Sequence, residues 1–453
     1  MKSASTIFAL SSAPGRAGVA VVRVSGPNAG MALNLMAPKR PKPRYAAGRR
    51  IIHPRTGEII DRGVVLWFPA PSSFTGEDVA EFQLHGSTAV IRAVLVALAE
   101  LPACRPAEAG EFARRAFENG KLDLVEAEGL ADLIDAETEA QRRQAIRQAG
   151  GALSRLYESW RTRLIEACAL VEAAIDFSDE GDVALDAFTQ GRTAVAGLDV
   201  EIRRHLADGY RGEIVRGGFR VVLVGPPNVG KSSLLNTLAR RDAAIVSAEA
   251  GTTRDVIEVR LDLAGLAVVV SDTAGIRETT GAVEREGIRR SLERAREAEL
   301  IIWLTDIHTP APAIPEQLRE IADRILPVVN KTDLAVSDAA PDLPDDMVAI
   351  SVATGAGLDL LTERIAAIAT ARVGEDMVTG DGGLIPALTQ DRHRRLLEEC
   401  RDALVAFLDG DANQTELRAE DLRRAASALG RITGRIDVED VLDQVFGRFC
   451  IGK

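Results

Sequence analysis

A phosphate-binding pattern lies near the middle of the chain. The segment GPPNVGKSS, residues 225–233, has the spacing G-x-x-x-x-G-K-S, follows the apolar run FRVVLVG and precedes the helical run SSLLNTLARR. Glycines allow backbone N–H groups to turn onto phosphate oxygens, and the N-terminus of the following helix adds its positive end. We expect Lys231 to reach the β- and γ-phosphates and Ser232 to ligate magnesium. The pattern therefore predicts a nucleoside triphosphate site.

The identity of the base is indicated by the segment NKTD, residues 330–333, at the end of the run ILPVVNK. An Asp carboxylate accepts hydrogen bonds from N1–H and the exocyclic amine of guanine, which adenine cannot supply. The later segment SVATGAG, residues 351–357, is typical of a loop whose backbone N–H groups bind the guanine carbonyl. Its third residue is Ala353, where a longer side chain is usual, so nucleotide affinity is expected to be looser. The two segments predict GTP.

Two further segments are typical of nucleotide switches. GTTRD, residues 251–255, is expected to close on magnesium through Thr253, and DTAG, residues 272–275, to form the second switch. Ras-like GTPases orient the attacking water with a Gln directly after this Gly. The residue here is Ile276, which cannot hydrogen-bond a water, so another group must perform that task.

Four regions with different periodicity position these segments. Residues 1–120 combine β-type runs with Gly and Pro turns and one helical run, which predicts an α+β domain. Residues 121–215 carry Ala, Glu, Arg and Leu at helical spacing. Residues 216–374 alternate buried-strand runs with helices, as parallel α/β sheets do. Residues 375–453 return to helical spacing, so a single helical domain interrupted by a P-loop domain is the simplest arrangement.

Composition excludes several classes of protein. The chain has 453 residues, 46% of them hydrophobic, and is long enough for two to four domains with their own cores. It contains no uncharged apolar run of 18 residues and no signal-peptide core, from which we expect a cytosolic location and no membrane partner. The four cysteines lie far apart, so buried single thiols are expected rather than a zinc site or a disulfide framework.

Charge is unevenly distributed along the chain. The net charge is −12, which disfavours a protein that only coats nucleic acid. Residues 1–118 carry 15 Lys and Arg against 9 Asp and Glu, a net charge of +6, and the remainder therefore carries −18. A basic front region on an acidic body suits an anionic small ligand or a local nucleic-acid contact, and a merely solvated face explains it equally well.

The segment FCIGK, residues 449–453, imitates a prenylation box by its spacing. Lys453 is not among the residues that prenyl transferases accept at the last position, which argues against a lipid anchor. An ordinary frayed terminus is the simple alternative.

These features together resemble the MnmE (TrmE) family of tRNA-modification GTPases. The resemblance rests on the P-loop with Asn228, on GTTRD, on DTAGIRET, on the helical flanks, on the front region and on the segment CIGK. It covers the whole chain and implies an N-terminal α+β folate-binding domain and a helical domain interrupted by a Ras-like G domain.

The resemblance implies that two G domains of a homodimer meet around potassium, which takes the place of an arginine finger. Asn228, Ser247, Glu249 and Thr252 would hold that ion, although Asn228 could merely stabilise a turn. Glu284 would orient the attacking water, with Lys231 as a second catalytic residue; the simpler reading of Glu284 is a first-turn helix acid. The implied GTP-binding residues are Asn228, Val229, Gly230, Lys231, Ser232, Ser233, Ser247, Ala248, Glu249, Ala250, Gly251, Thr252, Thr253, Asp272, Thr273, Ala274, Gly275, Asn330, Lys331, Thr332, Asp333, Ser351, Val352 and Ala353.

For the front region, the resemblance implies binding of a 5-formyl- or methylene-tetrahydrofolate. Glu81 would pair with the pterin edge, and Arg23 or Lys121 would attract the glutamate tail. FTGEDVAEF, residues 74–82, could equally be the capped start of a helix. Lys453 would reach the folate pocket. Cys450 would lie near the one-carbon unit as a reactive thiol or, slightly preferred, as a small buried anchor.

The implied reaction adds an aminomethyl or carboxymethylaminomethyl group to C5 of the wobble uridine of certain tRNAs. A flavoprotein partner, MnmG (GidA), would supply the flavin and nicotinamide chemistry, since this chain has no G-x-G-x-x-G fingerprint. Arginine pairs at 142–143, 394–395 and 423–424 would contact tRNA or the partner, or belong to solvated helix faces. The alternatives are a ribosome-assembly GTPase of the Era or Der kind and a membrane-remodelling or signalling GTPase.

Overall fold

The structure is a computed structural model, and it describes residues 5–177, 181–241, 243–245, 258–272, 293–308, 314, 316–335, 347–379, 386–412, 414–436 and 439–452. The chain forms two compact units. The first comprises residues 1–131, 148–194 and 409–453, and the second comprises residues 132–147 and 195–408. The unit boundaries fall within helices and differ from the predicted domain bounds, which stay a prediction.

The first unit contains a six-stranded sheet of order β3-β4-β5-β2-β1-β6. Neighbouring strands are antiparallel except for β1 and β6, which are parallel. The strands are β1 (Thr6–Leu10), β2 (Ala17–Ser25), β3 (Ala47–Ile52), β4 (Ile59–Phe68), β5 (Val79–Gly86) and β6 (Cys104–Pro106).

The two faces of this sheet differ in chemistry because strand side chains alternate. One face carries Phe8, Val22, Val24 and Phe82, which pack in one apolar core with residues of helices α1 (Ala29–Met36) and α2 (Thr88–Ala99). The opposite face carries a small apolar group, Ile7 and Ala9 with Phe112 and Ala107. The register places Arg23 opposite Ala9 on one side and opposite Glu81 on the other. Polar residues therefore belong to this second face.

Helices complete the first unit. α6 (Ala152–Asp176) buries Leu153, Tyr157, Trp160 and Leu164, and this spacing of three or four residues makes one apolar stripe along the helix. α13 (Thr415–Thr433) packs against α6. α3 (Glu111–Glu118), α4 (Leu124–Asp135) and α14 (Glu439–Phe446) share a further apolar cluster.

The second unit contains a sheet of order β12-β11-β10-β7-β9-β8. Its strands are parallel except that β8 runs antiparallel to β9 at one edge. The strands are β7 (Phe219–Val224), β8 (Glu258–Leu263), β9 (Leu266–Asp272), β10 (Leu300–Asp306), β11 (Ile325–Asn330) and β12 (Val348–Ala349). The helices with residues in this unit include α5 (Glu139–Ala149), α7 (Gly181–Leu206), α8 (Arg211–Gly217), α9 (Lys231–Leu238), α10 (Leu358–Val373), α11 (Glu375–Thr379) and α12 (Asp391–Asp409).

The expected strand runs of the P-loop region are confirmed, and the mixed edge at β8 is an addition to the expected parallel sheet. The alternative of a helix in residues 74–82 is wrong. Residues 74–77 form a bend that leads into β5, whose alternating burial places Val79 and Glu81 on one face and Ala80 and Phe82 on the other. Pairing with both β2 and β4 satisfies its backbone, so the strand prevails over local capping chemistry.

Candidate functional site

The P-loop joins β7 to α9 with the geometry that the sequence predicts. Gly225 lies so close to the Leu304 carbonyl that a Cβ there would meet its oxygen at 2.1 Å, and Gly230 adopts a left-handed φ of 103°. Lys231 Nζ donates hydrogen bonds to the carbonyls of Gly225 and Pro226, both at 2.9 Å. Its ammonium group therefore binds the backbone of the P-loop. To bind phosphate, it would have to leave these two carbonyls.

Asn330 connects the P-loop to the base-recognition segments. Its Nδ2 donates to the Val229 carbonyl at 2.8 Å, and its Oδ1 accepts from the Val352 backbone N–H at 3.1 Å. Asn330 is only 2% exposed, so both halves of its amide are used inside the protein. A Cβ at Gly230 would lie 2.4 Å from Asn330 Nδ2, which explains why the loop requires glycine there. Asn330 is thus a positioning residue for two loops.

Asp333 has the geometry expected of a guanine acceptor. Ser351 Oγ donates to Asp333 Oδ1 at 2.6 Å, while Oδ2 accepts no hydrogen bond from the residues that the structure describes. Thr332 holds the segment to β12 through a hydrogen bond from its Oγ1 to the Ile350 carbonyl at 3.0 Å. Since one carboxylate oxygen is fixed and the other is available, the side chain is oriented before any base arrives.

Lys331 makes a contact that sequence reasoning missed. Its Nζ donates to the Asn228 carbonyl at 2.8 Å and pairs with Asp306 Oδ2 at 3.2 Å. The second residue of NKTD therefore fixes the backbone of the P-loop at Asn228. The only sequence signal for this contact is the position of both segments at the carboxyl ends of neighbouring parallel strands.

Of the two residues expected to ligate magnesium, Ser232 lies in the first turn of α9 and Thr253 lies outside the described residues. Ser232 Oγ donates to Asp272 Oδ2 at 2.6 Å, which brings a hydroxyl and a carboxylate from segments 40 residues apart together at the start of α9. Hard oxygen donors of this kind are the ligands that magnesium prefers. Asn228 has an exposed side chain, and its amide has no hydrogen-bond partner among the described residues, so it is available to a cation. Its left-handed φ of 63° also suits a turn, so the turn role applies as well.

Several predicted residues lie outside the described residues. They belong to the segments 246–257, 273–292 and to position 453. They are Ser247, Ala248, Glu249, Ala250, Gly251, Thr252, Thr253, Thr273, Ala274, Gly275, Glu284 and Lys453.

In the first unit, the structure brings Arg23 and Glu81 together. They face each other across β2 and β5, with Arg23 Nε 3.0 Å from Glu81 Oε1, and both side chains are about four-fifths buried (21% and 18% exposed). The Arg23 guanidinium also lies 5.3 Å from the ring centre of Phe74 and 5.7 Å from that of Phe112. Each charge therefore has a partner before any ligand binds.

A network of charges beside this pair was not predicted. Arg115 donates to both carboxylate oxygens of Glu77, at 3.1 and 3.0 Å, and to Glu111 at 2.9 Å. Glu77 in turn accepts from Ser25 Oγ at 2.7 Å, and Ser25 lies two residues after Arg23 on the same face. Burial raises the pKa of Glu111, but hydrogen bonds from Arg105 and Arg115 outweigh it and hold the pKa below its usual value. Glu111 is thus held in the ionised state.

The last described residues lie against the edge of β1. Ile451 forms an antiparallel bridge with Ala109, and Ser11 Oγ donates to the Gly452 carbonyl at 2.8 Å. Gly452 is buried with φ 105°, and a Cβ there would meet the Leu10 carbonyl oxygen at 2.0 Å. The tail therefore reaches β1 one residue beyond Ala9, the register partner of Arg23. Lys121 lies beside Gly76, two residues from Phe74.

The preferred role of Cys450 as a buried anchor is wrong, because its side chain is exposed and Gly452 makes the close contacts. The expectation of buried thiols holds fully only for Cys400, whose pKa burial raises to about 12. Cys168 is half-buried, and burial raises its pKa to about 11. Both thiols are thus protonated and unreactive at neutral pH.

The arginine pairs belong mostly to intramolecular ion pairs. Arg142 and Arg143 both bind Glu139, and their hydrogen bonds lower its pKa to about 2. Arg423 binds Glu172 and Glu420. Arg394 is 4% exposed and is not a surface residue at all: it binds Glu213 and Asp208 and stacks on Tyr210.

A P-loop with its lysine and serine, an Asp at the end of β9 and an oriented NKTD aspartate together define a P-loop GTPase. A family model described as the MnmE helical domain matches residues 124–450, and one described as the N-terminus of GTP-binding protein TrmE matches residues 6–121. The chain belongs to the MnmE (TrmE) family of tRNA modification GTPases.

Curated relatives agree with this assignment. The tRNA modification GTPase MnmE of Parvibaculum lavamentivorans is 52% identical and covers 99% of this chain and 100% of the relative. That of Rhodopseudomonas palustris is 51% identical and covers 99% of both. These matches extend through the front region and the tail. They exclude both the alternative of an Era or Der GTPase and that of a membrane-remodelling or signalling GTPase.

Solved structures are similar only locally. A single-residue variant of Aquifex aeolicus Era bound to GDP and aluminium fluoride is 24% identical, covers 41% of this chain and 66% of its own, and has a TM-score of 0.27. The G domain of T. maritima FeoB is 27% identical, covers 33% and 98%, and has a TM-score of 0.25. Likeness of this degree carries no argument. Among the described residues, helices that combine the length and apolarity needed to span a membrane are absent.

Proposed function

We propose that this chain is a potassium-dependent GTPase that adds an aminomethyl or carboxymethylaminomethyl group to C5 of the wobble uridine of certain tRNAs. It acts with the flavoprotein MnmG (GidA) and takes its one-carbon unit from 5-formyl- or methylene-tetrahydrofolate. The observation that carries the proposal is the oriented nucleotide site of Lys231, Ser232, Asp272 and Asp333 in a chain of this family.

GTP binding would use groups that already have suitable positions. Asp333 Oδ2 and Oδ1 would accept the N1–H and 2-amino hydrogens of guanine while Ser351 keeps the carboxylate in place. Lys231 would exchange two neutral carbonyl partners for phosphate oxygens, a stronger, charge-assisted interaction. Ser232 and Thr253 would hold magnesium, with the Asp272 carboxylate beside Ser232, and the bound ion would neutralise charge on the phosphates.

Hydrolysis needs groups beyond this site, because Ile276 cannot orient a water. We assign that role to Glu284, acting directly or through a second water. Asn228, Ser247, Glu249 and Thr252 would hold potassium when the G domains of a homodimer meet. The exposed amide of Asn228, which has no hydrogen-bond partner among the described residues, supports this assignment.

The polar face of the first sheet would bind the folate. Glu81 would exchange Arg23 for the pterin edge, and Arg23 would then turn to the glutamate tail together with Lys121. Phe74, which lies beside Arg23 and is only partly buried, would offer an apolar contact to a planar ring. Lys453 would enter from the tail that Gly452 holds against β1. Insertion of the G domain into a helical domain is part of the proposal and is supported by the family match over residues 124–450. A cytosolic location follows from the proposed substrate.

Mass analysis of tRNA nucleosides tests this function directly. Cells that lack the gene should have unmodified uridine at the wobble position, and the wild-type gene should restore the modified nucleoside. Lys231→Ala should not restore it, because phosphate binding is lost. Unaltered wobble nucleosides in the deletion strain would remove the basis of the proposal.

A further inference from the structure

The strongest charge asymmetry of the chain lies in its first 57 residues. They contain ten Lys and Arg and no Asp or Glu, although the whole protein has a net charge of −12. We infer that the edge of the first sheet is an RNA-docking surface that binds the phosphate backbone of the tRNA. This inference rests on the proposed function for the identity of the RNA, while the surface itself is defined by the residues below.

The surface, here called the basic ridge, consists of six exposed cations on or beside β3 and β4: Lys39, Arg40, Lys42, Arg44, Arg50 and Arg62. Among the described residues, none of the six forms an ion pair. The arginine pairs on the helices differ, since Arg142, Arg143 and Arg423 are all bound to carboxylates of this chain. Arg40 and Arg44 donate hydrogen bonds to neutral acceptors of the chain, namely Asn34 and the carbonyls of Gly30 and Ser72, so the positive charge of the ridge is not neutralised by a carboxylate of the described residues.

Arg50 and Arg62 are register partners on the antiparallel strands β3 and β4. Like charges directly opposite each other on one face of a sheet are destabilising. Neither side chain has a carboxylate to neutralise it among the described residues, so the pair costs stability in the protein alone. An anion bound between the two guanidinium groups would remove that cost, as expected of a site built for phosphate.

Two ridge arginines are held in place by aromatic rings. The Arg40 guanidinium lies 4.5 Å from the ring centre of Trp67 and the Arg44 guanidinium 5.6 Å from that of Phe68. Arg62 and Phe68 are six residues apart on β4 and share a face, so this part of the ridge extends for roughly 20 Å at strand rise, whereas Arg40 lies over Trp67, whose side chain is buried in the core of the opposite face. That length covers several phosphates of one RNA strand, and the stacked side chains lose little entropy on binding.

The chemistry favours RNA over an acidic protein or an anionic membrane. Tyr45 directly follows the ridge residue Arg44, and its side chain is 67% exposed. Its ring provides a stacking surface for an unpaired base. A membrane-binding element would be an amphipathic helix, whereas residues 37–46 form a proline-containing loop with left-handed φ values at Lys39 and Arg44. β3 is also an edge strand of its sheet, and no described strand pairs with its outer side.

The test uses the full-length protein and an unmodified tRNA transcript with uridine at the wobble position. Arg50→Glu turns the repelling pair with Arg62 into an attractive one, so the variant should unfold at the same or a higher temperature than the wild type. Its dissociation constant for the transcript, measured by fluorescence anisotropy at about 150 mM salt, should rise at least tenfold. The salt slope of binding should fall by about one to two units.

Arg92→Glu is the matched control. Arg92 is an exposed cation on α2, which packs on the apolar face of the sheet opposite to Arg50 and Arg62, and its replacement by Glu makes the same change in net charge. The dissociation constant of the Arg92→Glu variant for the transcript should lie within twofold of the wild-type value. Equal affinity of Arg50→Glu and wild type, or equal losses in both variants, would overturn the inference, as would a wild-type protein without measurable affinity for the transcript. A loss confined to anionic lipid vesicles would assign the ridge to membranes instead.

Nucleoside analysis separates this inference from the proposed function. If the deletion strain keeps its modified wobble uridine, the proposed function fails. If modification depends on the gene and Arg50→Glu restores it with wild-type transcript affinity, the ridge inference alone fails.

Discussion

The nucleotide site and the polar face at Arg23 are built on opposite principles. The nucleotide site collects side chains from loops at the carboxyl ends of neighbouring parallel strands, and Asp333 and Asn228 keep groups open to a ligand. The polar face instead places Arg23 and Glu81 within two adjacent antiparallel strands, where they neutralise each other. A ligand at the first site meets open groups of Asp333 and Asn228, whereas a ligand at the second must compete with an internal ion pair.

This difference predicts different energetics. At the nucleotide site, a bound guanine replaces water at an oriented carboxylate, so truncation should cost most of the recognition energy. At the polar face, a ligand gains only the difference between its own contacts and the Arg23–Glu81 pair. Single substitutions there should have smaller effects on binding.

The largest effect is expected for Asp333→Asn. The amide cannot accept both guanine N–H groups, so GTP affinity should fall by about 10²–10⁴-fold. Xanthosine triphosphate, which presents a carbonyl where guanine has an amine, should regain affinity for this variant. Titration calorimetry with both nucleotides measures the change. GTP affinity that stays at the wild-type value would show that NKTD does not recognise the base.

Glu284→Ala should separate binding from chemistry. GTP affinity should be kept, while turnover should fall by roughly 10–1000-fold, the range for removal of a positioned catalytic group. Glu297→Ala, an exposed acid on a described helical turn, is the matched control and should hydrolyse GTP normally. Normal turnover in the Glu284 variant would assign the attacking water to another residue.

The nucleotide site and the polar face differ in how much of each could be predicted from the sequence. Lys231, Ser232 and Asp333 could be assigned from short motifs because parallel α/β topology dictates which loops meet. The network of Arg115 with Glu77 could not, since its partners lie 38 residues apart, one on helix α3 and the other in the bend before β5, and meet only in the tertiary structure. The exposure of Cys450 was also mispredicted: a hydrophobic neighbour, Phe449, is buried, but the chain turns at Gly452 and leaves the thiol outside. Arg394 shows the same limit, because nothing in its local sequence indicates burial.

Potassium dependence should be visible at the level of a single side chain. Wild-type turnover should be at least about tenfold faster in potassium than in sodium, because the proposed mechanism places a potassium ion where negative charge builds up on the phosphates. Asn228→Ala should bring this ratio close to one. Asn236→Ala, an exposed Asn on α9, should keep the wild-type ratio. Stopped assays at equal ionic strength give the four rates, and equal wild-type rates in both salts would refute the ligand role of Asn228.

Glu81→Gln tests the competing ion pair. We expect the affinity for 5-formyl-tetrahydrofolate to fall about tenfold, the value of one charge-assisted hydrogen bond, while GTP hydrolysis stays at the wild-type rate. The complementary measurement is folate binding by Asp333→Asn, which should be normal. Coupled losses in both variants would show that the two sites are not independent.

The smallest effects are expected for substitutions in the tail. They separate the role of the backbone position at Gly452 from the role of the Cys450 thiol. Gly452→Ala places a Cβ against the Leu10 carbonyl at a residue with φ 105°, so the tail should be displaced from β1 and folate affinity should fall about three- to tenfold. Cys450→Ser is the matched variant two residues earlier. Because the Cys450 side chain is exposed, the folate affinity of the Cys450→Ser variant should lie within twofold of the wild-type value. Calorimetry measures both affinities, and nucleoside analysis follows modification. A Cys450→Ser protein that binds folate normally yet fails to modify tRNA would show that the thiol takes part in the reaction.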